Sequence, residues 1–363
     1  MRPAFLFLAS TLIAANPASA ESIRTLKAEL SSDAGRPFRV ENLAGRMSVR
    51  EGKGPKVVVT ATVHGEDQRV ANLLRLEEVR DSKTGHPTLR MIYPLNESTT
   101  FRYPGEKRDG SGDGFFARMF SGNSNTTYDG ARVSVSGSRG LGLYADLVVE
   151  IPRGASGTFR NVVGRIDGSG VEGTLKFDSG SGDISLSDFA GDVVADTGSG
   201  DVSAQSGKGS FKCDTGSGDC ALKGFSGEHI DLDTGSGDIS ITDSRARLVK
   251  ADTGSGGIRL EVDDSEEISA DSGSGDVSVE AGGSKLARIK ADTGSGDVSL
   301  KLPRAAGFEL LADVGSGEVT SAFDDATAIM ERRKVKGYRR GDLKVKIDVD
   351  TGSGDVSVGP SRF

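Results

Sequence analysis

Apolar and polar positions alternate with period two through most of the second half of the chain, the pattern of half-buried strands. Apolar pairs such as Ile230/Leu232, Val249/Ala251, Ile268/Ala270, Ile289/Ala291, Leu310/Ala312 and Ile347/Val349 each precede a small polar corner. Matching pairs follow the corner: Ile184/Leu186, Ile239/Ile241, Ile258/Leu260, Val277/Val279, Val298/Leu300 and Val356/Val358. Each unit therefore reads as strand, glycine corner, strand, and no helical period competes in this half.

The corner is a pentapeptide, D-x-G-S-G, that opens at Asp178, Asp196, Asp214, Asp233, Asp252, Asp271, Asp292, Asp313 and Asp350, with a degenerate copy at Asp167. Successive spacings are 18, 18, 19, 19, 19, 21, 21 and 37 residues, too short for each unit to bury a core of its own, so the units must stack. At roughly 3.3 Å per strand residue such a unit has a contour of about 60 Å, enough for one closed turn of two or three strands. The expected architecture is all-β, a single-stranded parallel β-solenoid with rungs of about 19 residues. The Gly-Ser-Gly steps are expected to use φ > 0 and to let backbone stack closely on backbone.

Residues 21–160 lack the motif and read as irregular N-terminal rungs, and 161–363 as the regular repeats. Strands are expected at Phe38–Val40, Met47–Val49, Val57–Val63, Leu89–Tyr93, Ala131–Val135 and Leu147–Ile151. The 66–80 stretch carries Val70, Leu73, Leu74 and Leu76 at mixed spacing and is expected to form a short capping helix. Residues 96–128 are rich in Gly, Ser, Asn, Thr and Arg and read as a flexible excursion, with Phe115, Phe116 and Phe120 available to tuck it back.

Composition adds a location. Arg2, an apolar run from Ala4 to Ala15, and Ala18-Ser19-Ala20 match a secretory signal peptide over 1–20, with Glu21 as the mature N-terminus and a periplasmic or extracellular destination. The formal net charge of −8 argues against nucleic acid as a partner. Hydrophobic content of 35%, no Trp and 51 glycines suit a thin stack with a one-layer core better than a compact enzyme.

The serial S-G-D-[IV]-x-[LV] units, such as Ser199-Gly-Asp-Val-Ser and Ser295-Gly-Asp-Val-Ser-Leu300, resemble those of a family of bacterial envelope proteins. So do the Leu302-Pro303 and Gly307-Phe308 step and the closing Val349-Asp-Thr-Gly-Ser-Gly-Asp-Val-Ser-Val358. These proteins carry a provisionally named adhesin or GIN-type β-strand-repeat domain, also filed as a domain of unknown function. The resemblance spans roughly residues 36–358 and implies a right-handed β-helix in the cell envelope, with an adhesin-like or structural role and no assigned activity.

Sharper chemistry competes with that role. Six copies of D-T-G-S match the aspartic-protease signature, but two such aspartates must converge on one water, and here they recur in every rung. Corner turns stabilised by Asp and Thr are the preferred reading. Stacked carboxylates about 4.8 Å apart repel by on the order of 1 kcal/mol per pair in water, so either corner N–H groups or calcium must offset them. The second aspartates are Asp183, Asp201, Asp219, Asp238, Asp276, Asp297 and Asp355, with Gly257 and Glu318 substituting in two rungs. Their placement differs from the calcium nonapeptide, in which Asp lies two residues after Gly. No metal, cofactor or catalytic residue is assigned, and a carbohydrate-active β-helix enzyme is the alternative reading. His64, His86 and His229 occupy no recurrent place.

Two irregular features remain. Cys213 and Cys220 sit at apolar positions flanking one corner, either disulfide-bonded or packed as buried thiols. The 37-residue interval holds Arg332, Arg333, Lys334, Lys336, Arg339 and Arg340, which read either as a solvated loop or as a peripheral contact with an anionic envelope partner.

Overall fold

The computed structural model describes residues 22–31, 36–81, 84–105 and 123–362. The signal-peptide reading of 1–20, and Phe115, Phe116 and Phe120, lie outside these residues. The described chain is almost entirely strand, with extensive parallel pairing and one four-residue helix. No helix among the described residues is long and apolar enough to cross a membrane. Two compact units are present, Met1–Ser185 and Leu186–Phe363.

The first unit mixes antiparallel and parallel ladders. Strand Ser22–Ser31 runs antiparallel to Lys56–Gly65, which is antiparallel to Leu141–Ile151. That strand in turn pairs parallel with Met47–Glu51. Phe38–Ala44 lies parallel between Pro87–Ile92 and Ala155–Val163. Phe38, Phe159 and Phe177 are fully buried and in contact through the core, Phe38 edge-on to Phe159 at 5.9 Å between ring centroids and Phe159 stacked on Phe177 at 5.2 Å.

The helix expected over 66–80 is confined to Gln68–Ala71, where the Asp67 carboxylate accepts the Val70 N–H at 2.7 Å. Beyond it, Arg75–Arg80 is a strand, antiparallel to Pro87–Ile92. Leu74 and Leu76 are buried on alternate positions, so cross-strand pairing outweighs the weak helical spacing. Two strands fall inside the 96–128 stretch read as an excursion, Thr100–Arg102 and Asn123–Tyr128, and both pair with Ala131–Ser136; residues 106–122 lie outside the described residues.

In the second unit the corners align in register, while bulges at Gly209/Ser210 and Ile241/Ser244 take up differences in repeat length. Asp196, Asp214, Asp233, Asp252, Asp271 and Asp292 follow one another in a continuous parallel register. The order then departs from the sequence: Asp292 pairs with Asp350, and Asp350 with Asp313. The last repeat in the chain thus lies between the two before it. The 37-residue interval lets the chain build the Asp313 repeat first, leave through a hairpin, and return into the gap. The hairpin joins Thr327–Glu331 to Lys334–Arg340, and the latter runs antiparallel to Phe308–Val314, covering that edge.

Corner glycines serve one of the two purposes expected of them. None of Gly235, Gly254 or Gly256 has φ > 0. A Cβ on Gly254 would lie 2.3 Å from the carbonyl oxygen of Gly235, and one on Gly256 would lie 1.9 Å from that of Gly237. These positions require glycine because backbone packs directly on backbone.

Candidate functional site

The corner Thr of each repeat is buried and bonded in two directions. The Thr253 hydroxyl donates to the Gly237 carbonyl of the preceding repeat at 2.8 Å and accepts the Gly256 N–H of its own corner at 3.1 Å. Thr215, Thr234, Thr293 and Thr351 do the same, and Ser272 substitutes without losing either bond. The Thr of the D-T-G-S pattern is therefore a buried strut.

The second aspartate of the corner forms a ladder along the stack. Asp201 Oδ1 accepts the Asp219 N–H at 3.1 Å, Asp219 Oδ1 the Asp238 N–H at 2.8 Å, and Asp238 Oδ1 the Gly257 N–H at 2.8 Å. After the Gly257 interruption it resumes from Asp276 to Asp297, Asp297 to Asp355, and Asp355 to the Glu318 N–H. Each of these carboxylates thus accepts a backbone N–H, an attraction that offsets repulsion within the ladder. Among the described residues no group of three or more His, Cys, Asp or Glu side chains is arranged to hold a metal ion.

The first aspartates form a second column with different electrostatics. Burial comes first, then the neighbouring Asp252 and Asp214 carboxylates, in pushing Asp233 above the usual carboxylate range. Asp271 is raised likewise by burial and by Asp252 and Asp292. Lysines moderate the repulsion: Lys250 lies 3.9 Å from Asp252, Lys290 bonds to Asp292, and Lys336 reaches Asp313 at 2.9 Å. An open groove of about 480 Å³ crosses this column where Asp292, Asp350, Asp313, Lys290, Lys336 and Leu311 line it.

The six basic residues of the interval separate into two groups. Lys336 pairs with Asp313, Arg339 pairs with Glu309, and Arg340 binds Asp325 and the Ala306 carbonyl while lying over the Phe323 ring. These three fasten the hairpin to the terminal repeat. Arg332, Arg333 and Lys334 form the tip, with φ of 47° and 74° at the two arginines. All three are exposed, and none makes an ion pair among the described residues. Met330, beside them, is 57% exposed. The segment is a structured hairpin, and the charge run gave no sign of it because the alternating Lys-Val-Lys-Gly-Tyr is short.

The remaining candidates are structural. Cys213 and Cys220 form a disulfide across their corner. His64 contacts Asp146 at 3.0 Å and stacks on Tyr144, while His229 is exposed. A charged cluster went unnoticed in the sequence: Arg362 binds the buried Glu261 and Glu280, which also meet Arg259 and Lys301. Its signal was glutamate at the same position of the strand after the corner in two successive repeats, Ile258–Asp263 and Val277–Ala281.

A family model described as Toastrack DUF4097 matches residues 174–359, just over half of the chain. The chain belongs to this family, a domain of unknown function. No curated protein matches it. Among solved structures it is similar to a provisionally named lipid binding protein from Parabacteroides distasonis, at 14% identity over 92% of this chain and 96% of that one, with a TM-score of 0.42. A provisionally named adhesin from Bacteroides fragilis is similar at 12% identity over 92% and 97%, with a TM-score of 0.31. A provisionally named cell adhesion protein from Clostridium sporogenes is similar at 10% identity over 94% and 99%, with a TM-score of 0.17.

Proposed function

We propose that the chain is a non-catalytic scaffold of the cell envelope, a right-handed parallel β-solenoid of the GIN-type repeat kind that contacts an anionic surface through the tip of its terminal hairpin. The observation that carries this reading is the contrast between corners and tip. The recurrent Thr and second-Asp side chains spend their polar groups on neighbouring repeats, whereas Arg332, Arg333 and Lys334 project together, exposed and without ion pairs among the described residues. The in-register parallel pairing of successive corners supports the solenoid. Bonding of the Cys213–Cys220 pair supports an oxidising, periplasmic or extracellular setting. Repetition of the first-Asp column from one repeat to the next supports a scaffold over a carbohydrate-active enzyme, whose acid and base would be set apart from their neighbours.

The anionic surface favoured is one of lipid headgroups, because Met330 adds an exposed apolar side chain to the cationic tip. The test is co-sedimentation of the chain and of the combined Arg332→Ser, Arg333→Ser and Lys334→Ser variant with anionic and neutral vesicles, at low and at physiological salt. Parent retention on anionic vesicles, lost in the variant and weakened by salt, is expected. Equal retention of parent and variant at low salt rejects the tip as the contact, and retention on an acidic polysaccharide instead of vesicles rejects lipid as its partner.

A further inference from the structure

Strand Ser22–Ser31 is a ten-residue edge. It pairs along its whole length with Lys56–Gly65 on one side, from Ser22↔Gly65 to Ser31↔Lys56, and with no strand on the other among the described residues. Other strands with a single ladder partner are shorter: Arg75–Arg80 and Asn123–Tyr128 have six residues, Thr327–Glu331 five and Val319–Ser321 three. An edge strand leaves every second residue's N–H and C=O directed outward, a template for another strand unless it is short, bulged or broken by proline. This one has no bulge in its ladder and no proline or glycine, and its sequence, SIRTLKAELS, alternates polar and apolar from Thr25 to Ser31. Leu26 and Ala28 on its inner side are only half-buried, and Ile23 on its outer side is 46% exposed.

Register narrows the choice of occupant. In a two-fold antiparallel pairing of this strand with itself, an axis between two residues would put inner residues opposite outer ones, which face burial forbids. An axis at Lys27 sets Lys27 against Lys27, and one at Glu29 sets Glu29 against Glu29. An axis at Leu26 sets Ala28 against the charged Arg24. With the axis at Ala28, Lys27 opposes Glu29 twice, Leu26 opposes Leu30 twice, and Thr25 opposes Ser31 twice. Lys27 and Glu29 are both exposed on the outer side, and Glu29 is already flanked by Lys56 at 2.9 Å. The pairing would extend that contact into a row of alternating charge, an arrangement that favours cross-strand pairing.

We propose that this edge is a self-association surface, and that two copies of the chain join antiparallel through Ser22–Ser31 about an axis at Ala28 to continue the sheet. The partner is a second copy because the strand is complementary to itself in one register and in that register alone is opposite charge matched. This goes beyond the scaffold reading and uses neither the hairpin tip nor any corner.

The test is sedimentation equilibrium of the full chain over a range of concentrations, with Lys27→Glu, Glu29→Lys and the double exchange. The parent is expected to show a concentration-dependent monomer–dimer equilibrium. Each single variant places like charges opposite one another and is expected to weaken the dimer at least tenfold. The double exchange, made together with Lys56→Glu so that position 29 keeps an opposite charge beside it, restores opposite charge in the same register and is expected to recover parent affinity. A parent that stays monomeric throughout, single variants that dimerise as well as the parent, or a double exchange that fails to recover would each overturn the proposal. Circular dichroism of every variant separates loss of pairing from loss of fold.

Discussion

At the scale of single residues, the corner owes its sequence to what the preceding repeat presents. Thr253 carries two hydrogen bonds in a buried setting, one to the Gly237 carbonyl and one from the Gly256 N–H. Thr253→Val keeps the shape and leaves both groups unpaired, so a loss of roughly 1–3 kcal/mol is expected. Thr253→Ser keeps both bonds, as Ser272 already shows, and the two variants should differ clearly in thermal unfolding midpoint. Equal midpoints would show that the hydroxyl is not a strut. The terminal repeat departs from this rule: Val314 stands in the Thr position beside Thr351, although the Asp350 repeat precedes it in the stack. The requirement for glycine was legible in the recurring G-S-G, but its reason was not. Sequence alone cannot separate a glycine needed for φ > 0 from one needed because the carbonyl of the next layer sits about 2 Å from any Cβ.

Among the elements, strands and corners were legible because period-two burial and small-residue punctuation repeat in every unit. The stacking order was not. The Asp313 and Asp350 repeats carry the same pattern, and only Val314 and Glu318 mark the former as the terminal one. The 66–80 helix failed for a related reason: Val70, Leu73 and Leu74 have helical spacing while Leu74 and Leu76 have strand spacing, and the Pro87–Ile92 partner decides between them. The Asp columns likewise share one composition and diverge in physics, since the second column faces N–H donors and the first faces itself. Asp233 and Asp271 are raised in the folded state, so the folded chain binds their protons more readily. The stability they contribute is present in full below the ordinary unfolded carboxylate value and is lost as pH rises through their folded values. A combined Asp233→Asn and Asp271→Asn variant should therefore unfold at a higher temperature than the parent at neutral pH, with the difference shrinking as pH falls through the carboxylate range. A difference that grows on acidification would mean that these two carboxylates are stabilised by their surroundings.

For the molecule as a whole, the repeats supply a uniform framework, and under the scaffold proposal the departures from repetition carry the discrimination between partners. The departures were only partly legible. A run of six basic residues is visible in the chain, yet its division into three fasteners and three free charges depends on Asp313, Glu309 and Asp325, which the sequence does not place beside it. The aspartate repeats, by contrast, gave the right question: two stacked rows of carboxylate need either backbone donors or a hard cation. The structure supplies donors to the second row, at 2.8–3.1 Å from Asp201 through Asp355, and lysines beside the first. The corners are on this account internal struts, which hold the framework without a bound ion. The measurement that bears most directly on it is thermal unfolding of the chain in chelator and in millimolar calcium. Coincident midpoints are predicted, and a large calcium-dependent rise would contradict the account by showing that the carboxylate rows exist to hold metal.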